Sequence, residues 1–122
     1  EAIGKQLSVP CYICRKKHSV SQIIGMISHM KLMVGMRLHS LIFAAAGGTP
    51  IVGISYDVKV SGFLHDCGAG TALQAESLQE EALIAAIDEQ LQTGSPDRQI
   101  AYGILKELEC KNVLAAKDLL EE

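Results

Sequence analysis

The 122-residue sequence contains no tryptophan, only two phenylalanines and three tyrosines, and just three prolines. A core built from this chain is therefore aliphatic, drawn from the 48% of residues that are apolar. The length allows one domain with a real core and is too short for two ordinary ones, so residues 1–122 are read as a single domain. A large charge of either sign is also missing. With a formal net charge of -3, a general nucleic-acid or anionic-membrane surface is excluded, and any anionic ligand must be held by local geometry. No apolar run approaches the length of a membrane-spanning helix, which argues against an integral membrane protein, and no signal-peptide pattern is present. The four cysteines, Cys11, Cys14, Cys67 and Cys110, are scattered and suggest no disulfide framework, which points to a reducing, cytoplasmic compartment. None of the glycines forms a G-x-G-x-x-G phosphate loop.

What is present alternates between strand-like and helix-like segments. "LSVPCYIC" (7–14) reads as a buried strand, "SVSQIIGMISHM" (19–30) as a helix capped by Ser19 or Ser21, and "KLMVGM" (31–36) as a second strand. "LHSLIFAAAGG" reads as a helix stopped by Gly47 and Gly48, with Pro50 just beyond. "PIVGISY" (50–56) is uniformly apolar, as expected of a strand covered on both faces. Asp57 is placed to cap a short helix, "VKVSGFLHDCG", and a weak strand is expected within "GTALQAE" (70–76). In 77–92, Leu83, Ile84, Ile87 and Leu91 recur at helical spacing, and Ser95-Pro96 starts a last helix. This alternation predicts an α/β, Rossmann-like three-layer αβα domain around a mostly parallel sheet. In such sheets ligands bind beyond the carboxyl ends of the strands, where residues 35–40 and 55–59 both fall.

Arg37 and His39 stand between an apolar strand and an apolar helix. Inside a helix they would point apart, whereas in extended backbone they would share a side, so a joint site needs the helix to begin at or just after them. The free amides and positive dipole end of that helix would favour an anion. Arg37 is suited to hold a carboxylate or phosphate with two parallel bonds, His39 to donate to phosphate or act as an acid, and Ser40 to add a hydroxyl. The competing reading has Arg37 paired with a nearby acid and His39 hydrogen-bonded for structure. Tyr56 and Lys59 lie just past the third strand; Lys59 either complements a phosphate or is solvated surface. "CYIC" invites a metal or redox reading, but on a strand the two sulfurs would face opposite ways and no second pair follows. Buried cysteines and no metal are expected. His18, His29 and His65 share no spacing and are read as surface or structural, and "RKKH" (15–18) as a solvated turn.

The stretch "VGMRLHSLIFAAAGGTPIVGISYDVKVSGFL" (34–64) resembles the signature of the polysaccharide pyruvyl transferase family, in particular its S-layer cell-wall type. The likeness lies in Gly-x-Arg-Leu-His at 35–39, the Ala-rich helix, and Pro-x-x-x-Ile-x-Tyr-Asp-x-Lys-Val at 50–60. It implies the C-terminal half of a GT-B fold, whose missing N-terminal domain would face this one across a cleft. The implied reaction moves a pyruvyl group from phosphoenolpyruvate onto two hydroxyls of a cell-wall polysaccharide sugar, with no cofactor. Arg37 and His39 would then be catalytic, and Arg37, Leu38, His39, Ser40, Tyr56 and Lys59 would contact substrate. The fragment alone is expected to turn over poorly, and its uncovered cleft face to favour a homodimer. Two other readings stay open. One is the nucleotide-sugar-binding half of a GT-B glycosyltransferase or epimerase, with Asp57 or Glu76 as the ribose-binding acid. The other is a non-catalytic binding module.

Overall fold

The computed structural model describes residues 2–67, 70–93, 103, 106 and 107. The elements, in chain order, are α1 (Ala2–Gln6), α2 (Val20–Ser28), β1 (Met33–Gly35), α3 (Leu38–Gly47), β2 (Ile51–Ser55), α4 (Val58–Cys67), β3 (Thr71–Gln74) and α5 (Glu80–Thr93). The three strands form one parallel sheet in the order β1-β2-β3, with Gly35 level with Gly53 and Ser55 level with Gln74.

Helix boundaries follow from local chemistry. Ser19 caps α2 by accepting from the Gln22 backbone amide, while the Gln22 side chain reaches back to the Ser19 amide, a reciprocal capping box. At the other end of α3, Gly48 takes the left-handed conformation (φ 70°) and its amide closes onto the Ala44 and Ala45 carbonyls. The left-handed turn needs a residue without Cβ, and this one signal fixes where the Ala-rich helix stops.

Helices cover both faces of the sheet, giving three layers in all. Along β2, Ile51, Gly53 and Ser55 face one way and Val52 and Ile54 the other. A Cβ on Gly53 would lie 2.6 Å from Leu64 of α4 and 3.4 Å from Leu41 of α3, so these two helices cover the first face. Thr71, level with Val52, accepts a bond from Gln90 of α5 at 3.0 Å, so α5 covers the second. Ile27, Leu41, Ala44, Ala45, Ile51, Val60 and Leu64 form the core on the α3/α4 side. Each large aliphatic buried there contributes about 1.5–3 kcal/mol. At the amino end of the sheet, Thr49 is 1% exposed; its hydroxyl donates to the Ile27 carbonyl at 2.7 Å and its amide to the Ala44 carbonyl at 2.9 Å, tying α2 to the end of α3.

The expected α/β architecture, the second and third strands, the Asp57-headed helix and the weak strand at 71–74 are all observed. The strand expected at 7–14 is not. Those residues have no regular structure and are exposed throughout, Tyr12 at 88%. Pro10 removes a ladder donor in mid-run, and β1 pairs only with β2 among the described residues. Cys11 and Cys14 are consequently exposed free thiols rather than core residues. In α5, Ile84 and Leu91 are about half exposed while Ala86 is buried, so the inward stripe is rotated from the one read off Leu83, Ile84, Ile87 and Leu91. The helix expected after Ser95 lies largely outside the described residues; Gly103, Lys106 and Glu107 are helical.

Candidate functional site

Because all three strands are parallel, their carboxyl ends share one edge, and each connection leaving that edge brings its first residues there. β1 delivers Met36 and Arg37 into α3, β2 delivers Tyr56 and Asp57 into α4, and β3 delivers Ala75 and Glu76. The Ala75 amide bonds the Ser55 carbonyl at 2.8 Å, holding the β3 exit against β2. The β1–β2 pairing ends at Gly35 and Gly53, after which the chain bends through Met36 and Arg37 into α3.

The two helix starts on this edge differ in charge. Arg37 is the N-cap residue of α3, in extended backbone (φ -95°, ψ 129°), and no side chain caps the first turn. Ser40 does not supply the missing acceptor; its hydroxyl instead donates back to the Arg37 carbonyl at 2.7 Å. The helix begins at Leu38, between the two candidates rather than after both, so Arg37 is in extended backbone while His39 is already helical and the shared-side arrangement expected of an extended pair does not apply. Arg37 and His39 are exposed, and neither side chain has a hydrogen bond or ion pair among the described residues. The reading in which Arg37 pairs with a nearby acid finds no such acid among the described residues. A cation at the positive end of a helix dipole, over uncapped amides, is unfavourable unless an anion joins them.

At α4 the arrangement is reversed. Asp57 accepts from the Lys59 amide at 3.0 Å and so already places a carboxylate at that helix start. Ser55, 2% exposed, fixes the turn by donating to the Asp57 carbonyl at 2.6 Å. Between this turn and the end of β3 lies a cavity of about 180 Å³, lined by Ser55, Tyr56, Asp57, Val58, Ser61, Gln74 and Glu76.

The sequence-derived candidates thus divide. Arg37, Leu38, His39 and Ser40 gather at the α3 start, and Tyr56 lines the cavity. Lys59 is exposed near the start of α4 and does not line the cavity. Ser61 and Gln74 were not foreseen, and Glu76 was considered only as a ribose-binding acid. Applying the strand-end rule to the weak strand β3, as to the two stronger ones, is the signal that finds Gln74 and Glu76. The remaining histidines do not converge. His29 contacts the Gly25 carbonyl at 2.7 Å and His65 the neighbouring Asp66 at 3.4 Å, and no metal-holding group of three ligands exists among the described residues.

Residues 4–58 match the family model of the polysaccharide pyruvyl transferases. The matched stretch runs from α1 to the first residue of α4, just under half the chain, and contains Arg37, Leu38, His39, Ser40 and Tyr56 but not Lys59. It supports a transferase family and a broad role in pyruvyl transfer. No curated protein and no solved structure gives a significant match. No helix among the described residues is long and apolar enough to cross a membrane.

Proposed function

We propose that this chain supplies the phosphoenolpyruvate-binding part of a polysaccharide pyruvyl transferase acting on a cell-wall sugar, of the kind that modifies S-layer-associated polymers. The observation that carries the reading is the start of α3: an uncapped helix N-terminus bearing Arg37 and His39, inside the stretch that matches the family. The donor concentrates a phosphate and a carboxylate on three carbons. A guanidinium fork, an imidazole that can donate or carry a proton, and aligned amides are the elements such a ligand requires.

In the reaction, a proton adds to the donor's methylene carbon and positive character develops at the carbon bearing phosphate. One sugar hydroxyl bonds to that carbon, the C–O bond to phosphate breaks with its electron pair going to phosphate, and a second hydroxyl closes the ketal. Of the two hydroxyl protons released, one balances the proton taken up by the methyl group and one leaves on phosphate. Arg37 stabilises the departing charge, and His39 carries the proton. Ser40 and Leu38 line the same turn, and Lys59 adds positive charge nearby. A second, facing domain of a GT-B-like enzyme would complete the cleft, and the domain alone would bind without turning over.

A nucleotide-sugar site finds less support, since the match to the pyruvyl transferase family covers the α3 start and not Glu76, the acid that would bind ribose. The test is a phosphoenolpyruvate titration followed by backbone amide NMR. Shifts centred on residues 37–41 that vanish in Arg37→Ala are expected; preferential binding of a nucleoside diphosphate would refute the assignment.

A further inference from the structure

The pyruvyl-transfer reading leaves two needs unmet: a place for the sugar and a group to take the proton of its attacking hydroxyl. We propose that the cavity between the α4 start and the end of β3 receives one uncharged sugar ring of the acceptor, with the Glu76 carboxylate as the base. The inference rests on the function proposed above.

Charge decides which substrate belongs here. Asp57 already occupies the α4 start through the Lys59 amide, and Glu76 adds a second carboxylate to the same cavity. A multiply charged anion is repelled from such a place and drawn instead to the open α3 start, where Arg37 stands. A neutral polyol meets no such penalty. Tyr56, Gln74 and Glu76 line the cavity, and none of their side chains has a hydrogen-bond partner among the described residues. Together they offer donors and acceptors for adjacent hydroxyls, and the tyrosine ring offers a face for C–H groups. The cavity measures about 180 Å³ and is partly open to solvent, so a ring seated in it can stay joined to a longer chain outside.

Position agrees with charge. Gln74 is level with Ser55 on β3, and β1 leads into α3 on the other side of β2, so the α3 start and the cavity lie on one sheet edge. Asp57 is committed to capping, which leaves Glu76 as the carboxylate free to act. As the sugar oxygen bonds to the central donor carbon, its proton passes to Glu76 and the phosphate leaves with the C–O electron pair; no oxidation or reduction is involved.

The test uses the full chain, labelled with nitrogen-15, titrated separately with the methyl glycosides of glucose, galactose and mannose into the tens-of-millimolar range. At least one should shift the amides of residues 55–58, 61 and 74–76. Glu76→Ala and Gln74→Ala should each weaken that binding about tenfold. Both side chains are exposed, and the same spectra report whether the variants fold. Silence from all three glycosides, or binding unchanged in both variants, overturns the assignment. Phosphoenolpyruvate, titrated on its own, reports through residues 37–41, so failure of the donor reading is seen separately from failure of the sugar site.

Discussion

Replacing Arg37 by aspartate should stabilise the protein and abolish donor binding in a single step. Arg37 sits at the N-cap of α3 with the extended dihedrals a capping side chain needs, yet makes no cap bond. Its positive charge opposes the helix dipole by about 0.3–1 kcal/mol, and an aspartate there reverses that sign. The aspartate also accepts from the free first-turn amides, a cap generally worth about 0.5–2 kcal/mol. Arg37 is exposed and has no partner among the described residues, so nothing offsets these gains, and a net stabilisation of about 1–2 kcal/mol follows. For a domain of this size that is a rise in Tm of roughly 4 °C or more, readable by circular dichroism. Phosphoenolpyruvate affinity moves the opposite way. Losing a charged pair of hydrogen bonds of about 1.5–3 kcal/mol weakens binding by roughly 10- to 150-fold, before any repulsion from the new carboxylate. A lower Tm would show that Arg37 serves the fold, and an unchanged affinity would show that the donor binds elsewhere. Either result refutes the reasoning.

Two further predictions concern the scaffold. Gly53→Ala places a methyl 2.6 Å from Leu64 beneath α4, and should cost about 1–3 kcal/mol in urea denaturation as that helix is pushed off the sheet. Cys11 and Cys14 are exposed and should both react with a thiol reagent such as DTNB at the rate of free peptide thiols before any unfolding; protection of either would contradict the placement of residues 7–14.

Most of the architecture was legible because strong local signals agreed with burial. The capping box at Ser19, the Gly48 stop and the uniformly apolar β2 each specify their element almost alone. The segment 7–14 misled because apolar content is only half of what makes a strand: the run has hydrophobic residues but, among the described residues, no ladder to join, and Pro10 interrupts it. Spacing could name Arg37 and His39 as neighbours at a strand end, since two residues in sequence fix that. It could not show that the α3 start is open while the α4 start is closed by Asp57, because which helix has its amides satisfied is a matter of side-chain geometry. Ser61 and Gln74 stayed hidden for a related reason: they belong to different elements, and only the fold brings them to one cavity.

The buried Thr49 bears on how such a domain can change over time. Its two bonds, to Ile27 and Ala44, fasten the helices at the edge of the sheet opposite the candidate site. At the site edge, the side chains of Arg37, His39, Tyr56, Gln74 and Glu76 make no hydrogen bond or ion pair among the described residues. Mutation can therefore exchange one ligand preference for another at the working edge while the fastened edge preserves the fold. Side chains at the site edge can be exchanged without first finding compensating changes in the interior.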